Sequence, residues 1–161
     1  MDEVTPDDAT TTITTLLNAA NDIDDYNIEA TPNLISADDT INVAAVGFRY
    51  AGGAISATND SVVLRIKKAT GGTVTESAAI TPATTTYTTN ANAAPRNYAL
   101  VTYQNPDAAA WTKALLDTAQ IGWRKSADSI TGVVGSTLWL SVDYTPIERA
   151  VGVYFPYKSY I

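Results

Sequence analysis

The chain has 161 residues, a net charge of −7, no cysteine and no histidine. That length suits one domain with a real hydrophobic core. The missing residue types exclude disulfides, thiolate metal sites, the usual zinc ligand and every histidine-dependent triad.

Charge is unevenly placed. Residues 1 to 39 hold ten acids and no Lys or Arg, while residues 40 to 161 hold seven acids and ten bases. Such asymmetry suggests an N-terminal segment with its own electrostatic role. It is either a solvated acidic surface or a face that docks on a basic partner. No dense Lys/Arg stripe occurs, so nucleic acid is not expected as a partner. No apolar run approaches the roughly 20 residues of a membrane helix. The acidic opening MDEVTPDDATTT is unlike a secretory signal, which predicts a soluble chain made in a cytoplasm.

The 24 threonines favour strands and the solvent faces of sheets. ATTTITTLL (9 to 17) reads as a first strand and DDYNIEA (24 to 30) as a short second one. TINVAAVGFRYAG is predicted as a central strand. Ile41, Val43 and Ala45 fall on one of its faces, and Ala44, Val46, Phe48 and Tyr50 on the other. SVVLRIKKA alternates, with Val62, Leu64 and Ile66 inward and Arg65 and Lys67 outward. Gly71-Gly72 signals a two-residue hairpin, with TVTESAAIT as the return strand. TTTYTTN is a strand or a turn. RNYALVTYQ places Tyr98 and Leu100 on one face and Ala99, Val101 and Tyr103 on the other.

Asn105-Pro106-Asp107 ends that strand, because proline cannot continue a ladder. AAAWTKALLDTA then predicts a helix of two to three turns, with Trp111, Ala114 and Leu115 on one face and Asp107 at the N-cap. So short a helix needs tertiary support and is expected to lie over an open core edge. AQIGWRKSA turns Ile121 and Trp123 inward. TLWLSVDYT closes the series with Leu138, Leu140, Val142 and Tyr144 on one face and Trp139 on the other. Trp111, Leu115 and Trp123 are the expected structural core. About eight short strands and one helix predict an all-β fold, an antiparallel β-sandwich of jelly-roll type with one short helix packed on it.

Pro146 marks a domain edge, giving a jelly-roll domain over 1–146 and a C-terminal arm over 147–161. The arm ends VGVYFPYKSYI, so Tyr154, Phe155, Tyr157, Tyr160 and Ile161 are candidate interface residues.

Three stretches, TPDDATTTI, NPDAAAWTKALLDTAQIGW and LWLSVDYTP, together resemble β-sandwich structural proteins of tailed-bacteriophage virions. These are head decoration or auxiliary proteins and tail or fibre modules. The resemblance covers most of residues 4 to 146 and rests on scaffold residues. It departs at Ala108-Ala109-Ala110, where the pattern more often has a Thr-Gly turn. It implies a virion structural protein, assembled in the host cytoplasm, that decorates or cements a capsid as a homo-oligomer against the major capsid protein or other virion proteins. The alternative is a tail or fibre module that binds host-surface carbohydrate.

Chemistry in the sequence is sparse. Glycosidases need only two carboxylates, but Glu29, Glu76, Asp117, Asp143 and Glu148 sit in no catalytic motif. No phosphate loop or nucleophile elbow occurs, and neither an enzyme nor a cofactor is expected. Asp22, Asp24, Asp25, Asn27 and Glu29 offer oxygen donors to calcium, without the spacing of an EF-hand loop. Tyr50, Tyr98, Tyr103, Trp139 and Tyr144 are possible members of a sugar platform. Trp139 is the best of these, because Thr137, Ser141 and Asp143 share its face.

Overall fold

Alternating apolar residues drive the chain into two four-stranded antiparallel sheets in a computed structural model. The structure describes residues 13–14, 20–28, 35–51, 61–81, 96–126 and 134–147. In chain order the strands are β1 (Ile13–Thr14), β2 (Ile23–Asn27), β3 (Thr40–Ala51), β4 (Val62–Lys67), β5 (Val74–Glu76), β6 (Arg96–Thr102), β7 (Gln120–Lys125) and β8 (Val134–Thr145). One sheet runs β1-β8-β3-β6 and the other β2-β7-β4-β5. The pairs β1·β8, β2·β7, β3·β6 and β4·β5 are nested, so the chain pairs like one long hairpin divided between two sheets. The fold is all-β, with one four-residue helix, α1 (Lys113–Leu116), among the described residues.

Each long strand contributes one face to a shared core. Ala44, Val46 and Phe48 of β3 face Val62, Leu64 and Ile66 of β4 and Ile121 and Trp123 of β7, all buried. Leu138, Leu140, Val142 and Tyr144 of β8 pack against this cluster. Ile41 joins it too, against the expected alternation. A register shift between Ile41 and Val43 inserts one residue, so Ile41 and Ala44 both face the core.

The helix departs most from expectation. Thr112, not Asp107, is its N-cap: the Thr112 Oγ1 accepts from the Leu115 N–H at 3.3 Å. Trp111 precedes the helix and is 3% exposed, Ala114 is exposed, and Leu115 is half-buried beside the core. Leu116 takes the inward position and is fully buried. Trp111 and Leu116 bracket the first turn as a hydrophobic staple. Residues 108 to 110 fail to become helix because Asn105 closes the backbone on itself. Its N–H donates to the Ala109 carbonyl, its side-chain amide to the Ala110 carbonyl, and its carbonyl accepts from Ala108. Asp107 instead contacts Lys68 and Thr73 on the neighbouring loop.

The segment carrying α1 links β6 in one sheet to β7 in the other. Trp111 ties it down: its indole N–H donates to Thr102 Oγ1 at 3.2 Å, and Thr102 donates to the Ala44 carbonyl at 2.9 Å.

The connection from β4 to β5 is also longer than a two-residue hairpin. Lys68 N–H donates to Thr73 O and Gly72 N–H to Ala69 O, enclosing a turn with Gly71 at φ 76°. Positive φ at the third residue of a four-residue turn is the glycine-favouring position of a type II turn. The proposed interface residues Tyr154, Phe155, Tyr157, Tyr160 and Ile161 lie outside the described residues, as does the TTTYTTN stretch.

Candidate functional site

The outer face of the β1-β8-β3-β6 sheet is built in rows across three strands. Register places Thr137, Arg49 and Asn97 side by side, then Trp139, Gly47 and Ala99, then Ser141, Ala45 and Val101. Alternation on β8 puts Trp139 outward because Leu138 and Leu140 face the core. Gly47 decides how Trp139 lies: a Cβ there would collide with the indole, so the ring rests across β3 in the space of the missing side chain. Ala45, Ala99 and Ser141 keep the rest of the floor low.

Arg49 stands in the next row. Its Nη1 donates to the Asn97 Oδ1 at 3.3 Å, which fixes the guanidinium beside the indole. Arg49, Asn97, Thr137 and Trp139 line an open groove of about 420 Å³. A half-buried aromatic ring, a planar cation, an amide and a hydroxyl thus meet in one concavity. Such a set suits a ligand with one apolar face and several polar substituents.

Of the four aromatic platform candidates whose side chains are among the described residues, Trp139 alone lines this groove. Tyr98 and Tyr144 pack against the core instead. Tyr103 is 72% exposed, four residues beyond the Ala99 row. The Tyr50 side chain lies outside the described residues. Sequence reasoning singled out Trp139 but missed Gly47, Arg49 and Asn97. A lone glycine inside the apolar run VAAVGF was a signal of close approach. Asn97 carried none, because its meeting with Arg49 depends on register.

The acidic candidates go elsewhere. β2 is a strand, so its acids alternate between faces and do not converge on one cation. Asp24 accepts from the Tyr26 hydroxyl at 2.7 Å. Burial, with help from that carboxylate, pushes the Tyr26 phenol well above its ordinary value. Asp25 points the other way and lies over Gly122 of β7, where a Cβ would meet its Oδ1 at 2.6 Å. It thereby reaches across β7 to Arg65 Nε at 3.1 Å and Lys67 Nζ at 3.7 Å. Arg65 is only 6% exposed, although it faces outward. Asp39 accepts backbone N–H groups from Ser36 and Ile147. Part of the N-terminal acidity therefore meets groups of its own chain. Among the described residues, no group of three acids is placed to hold a metal ion.

The carboxylates weighed for glycosidase chemistry are dispersed. Glu76 accepts two bonds from Arg124, at 3.1 and 2.8 Å, on the outer face of the other sheet. The Arg124 hydrogen bonds, with its positive charge, hold the Glu76 carboxyl below its ordinary value. Asp117 pairs with Lys113 at 2.6 Å on the helix. Asp143 accepts from the Asn42 amide at 3.0 Å on β8. Glu29 and Glu148 lie outside the described residues. No two of these acids share a site among the described residues. No family model, curated protein or solved structure matches this chain.

Proposed function

We propose that the two sheets form a jelly-roll β-sandwich and that the chain is a non-enzymatic structural protein of a tailed-phage virion, decorating or cementing the capsid. The observation that carries the fold assignment is the nested pairing β1·β8, β2·β7, β3·β6 and β4·β5 across two four-stranded sheets. Eight strands wound in this way are the jelly-roll arrangement, which serves in viral capsids and in lectins. The virion setting is supported by the sequence resemblance. In that setting the sandwich acts as a rigid block that buries area against major capsid protein or other virion subunits.

A second reading is favoured by one specific observation, the Trp139 groove. On that reading the same fold is a tail or fibre module that binds host-surface carbohydrate. A virion density map separates the two. Capsid decoration places the chain on the head shell, and particles lacking it still adsorb to cells but break more readily under heat or osmotic shock. Density at the tail or fibre, with adsorption lost when the chain is removed, favours the second reading. A chain missing from purified particles would overturn both.

A further inference from the structure

We infer that the outer face of the β1-β8-β3-β6 sheet docks on the same face of a second copy of this chain, about a two-fold axis that crosses the strands between the Gly47 and Ala45 rows. The contact covers Trp139, so it accords with the decoration reading and competes with the carbohydrate one. It is made between free chains in solution, so its failure leaves the virion reading standing.

The outer faces of the two sheets differ in kind. On the β2-β7-β4-β5 sheet Asp25 meets Arg65 and Lys67, and Glu76 meets Arg124. On the β1-β8-β3-β6 sheet Val43, Ala45, Ala99, Val101 and Trp139 take outward positions, with Tyr103 just beyond β6. Val101 is 50% and Tyr103 72% exposed, and Ala99 and Ser141 are exposed beside them. In a chain of net charge −7 this face is unlike a solvated surface, and contiguous apolar area of that kind marks a contact. Four rows about 7 Å apart on three strands about 4.8 Å apart cover roughly 400 Å² in projection. Side chains such as Tyr103 raise the accessible area above that projection, to the low end of specific interfaces, which fits a weak, reversible dimer.

Register makes the face complementary to itself. The axis sets each strand against its own copy running the opposite way, and each Gly47 row against the partner's Ala45 row. On β6, Val101 then lies over the partner's Ala99, and on β8, Trp139 lies over the partner's Ser141. Each larger side chain meets a small one, and the symmetry makes every such contact twice. Charge selects this axis over its neighbours. Asp143 is the only acid in β3, β6 and β8, and it lies in the Val43 row. The axis keeps the two copies of Asp143 six residues apart along the strands, about 20 Å. An axis at the Val43 row would instead bring the two carboxylates face to face.

The test is sedimentation velocity on the full chain, from about 1 to about 500 μM, a range that spans a weak dissociation constant. The parent is expected to pass from monomer to dimer across it. Val101→Glu brings two carboxylates together near the axis and is expected to raise the dissociation constant at least about tenfold. Ala99→Lys is expected to do the same with two ammonium groups, and serves where Val101→Glu fails to fold, as judged by circular dichroism. Mixing the two variants is expected to restore the dimer, because the new carboxylate of one copy faces the new ammonium of the other. Val74→Glu is the control: Val74 is 39% exposed on β5 of the other sheet, and its substitution is expected to change nothing. A parent that stays monomeric throughout overturns the inference, and so does a Val74→Glu chain that dissociates as readily as Val101→Glu. Loss in both single variants with no recovery on mixing overturns the two-fold axis.

Discussion

The Phe48 ring stacks on the Trp123 indole, with centroids 4.6 Å apart and planes 14° from parallel. Phe48 belongs to β3 in one sheet and Trp123 to β7 in the other, so this contact joins the sheets at the centre of the core. Both side chains are fully buried. Gly135 on β8 leaves the space that the Phe48 ring occupies. Removing the indole would leave a large cavity between two sheets that cannot collapse onto each other. We expect Trp123→Ala to cost about 3–5 kcal/mol, read as a lowered denaturant midpoint. A midpoint within error of the parent would mean that the sheets do not meet there.

Asp25 and Arg65 form a pair of another kind. Their side chains are 12% and 7% exposed, and they are 3.1 Å apart. The contact is close in distance but is not aligned as a hydrogen bond. Breaking a buried pair leaves one charge desolvated, whereas replacing both partners by apolar groups is often neutral. We expect Asp25→Ala to destabilise the chain by about 3 kcal/mol, and Asp25→Ala with Arg65→Met to recover most of that loss. Additive losses in a double-mutant cycle would show the two residues to be independent.

Legibility in the sequence depended on the range of the signal. The faces of β4 and β8 were readable because alternation is local: Leu64 needs only Val62 and Ile66 for context. The start of the helix was misread because three alanines outweighed one asparagine in propensity. Asn105 closes the turn through side-chain and backbone bonds that no propensity scale contains. The bulge beside Ile41 was hidden for a similar reason, since it exists only relative to β8. In the groove, Trp139 was visible as an apolar residue among polar ones. Arg49 and Asn97 stand 48 positions apart and meet only through register.

Ala108 illustrates the cost of that turn. It holds φ 58°, in the left-handed region that side chains with a Cβ disfavour. Its N–H donates to the Asn105 carbonyl at 2.9 Å, so the conformation is imposed by the loop. Ala108→Gly relieves the steric penalty but frees the unfolded chain further, so the two effects partly offset. We expect a net gain of up to about 1 kcal/mol, seen as a small rise in melting temperature. A drop on substitution would place Ala108 in an ordinary right-handed conformation.

Glu76 gives the chain a defined response to acid. Its carboxyl lies below the ordinary value of 4.5, because Arg124 donates two hydrogen bonds to it and adds its charge. The native chain therefore binds this proton more weakly than the unfolded chain does. The stabilisation is complete above the unfolded value and is lost as pH falls through the lower, folded value. We expect Glu76→Gln to be less stable than the parent at neutral pH and to converge with it in strong acid. A constant gap at every pH would show that ionisation of Glu76 is not the source of the difference.

Gly47 and Trp139 offer the sharpest test of the candidate site. Gly47 sits mid-strand, paired with Trp139 on one side and Ala99 on the other. Its φ is not positive, so alanine meets no backbone penalty there, and any cost is steric. The added Cβ would collide with the indole. Either the ring swings away from β3 or the strands part. We expect Gly47→Ala to cost about 1–3 kcal/mol, in the range of other overpacked sites, and to shift the Trp139 fluorescence toward that of an exposed indole. Removing the indole should remove the collision, so Gly47→Ala in a Trp139→Ala background is expected to cost almost nothing. That difference is the interaction energy of the two positions. Gly71 is the control: it has φ 76° and nothing within 4 Å of an added Cβ, so Gly71→Ala should cost the same with or without Trp139. If Gly47→Ala behaved like Gly71→Ala, the indole would not rest on β3, and the groove beside Arg49 would lack its apolar wall.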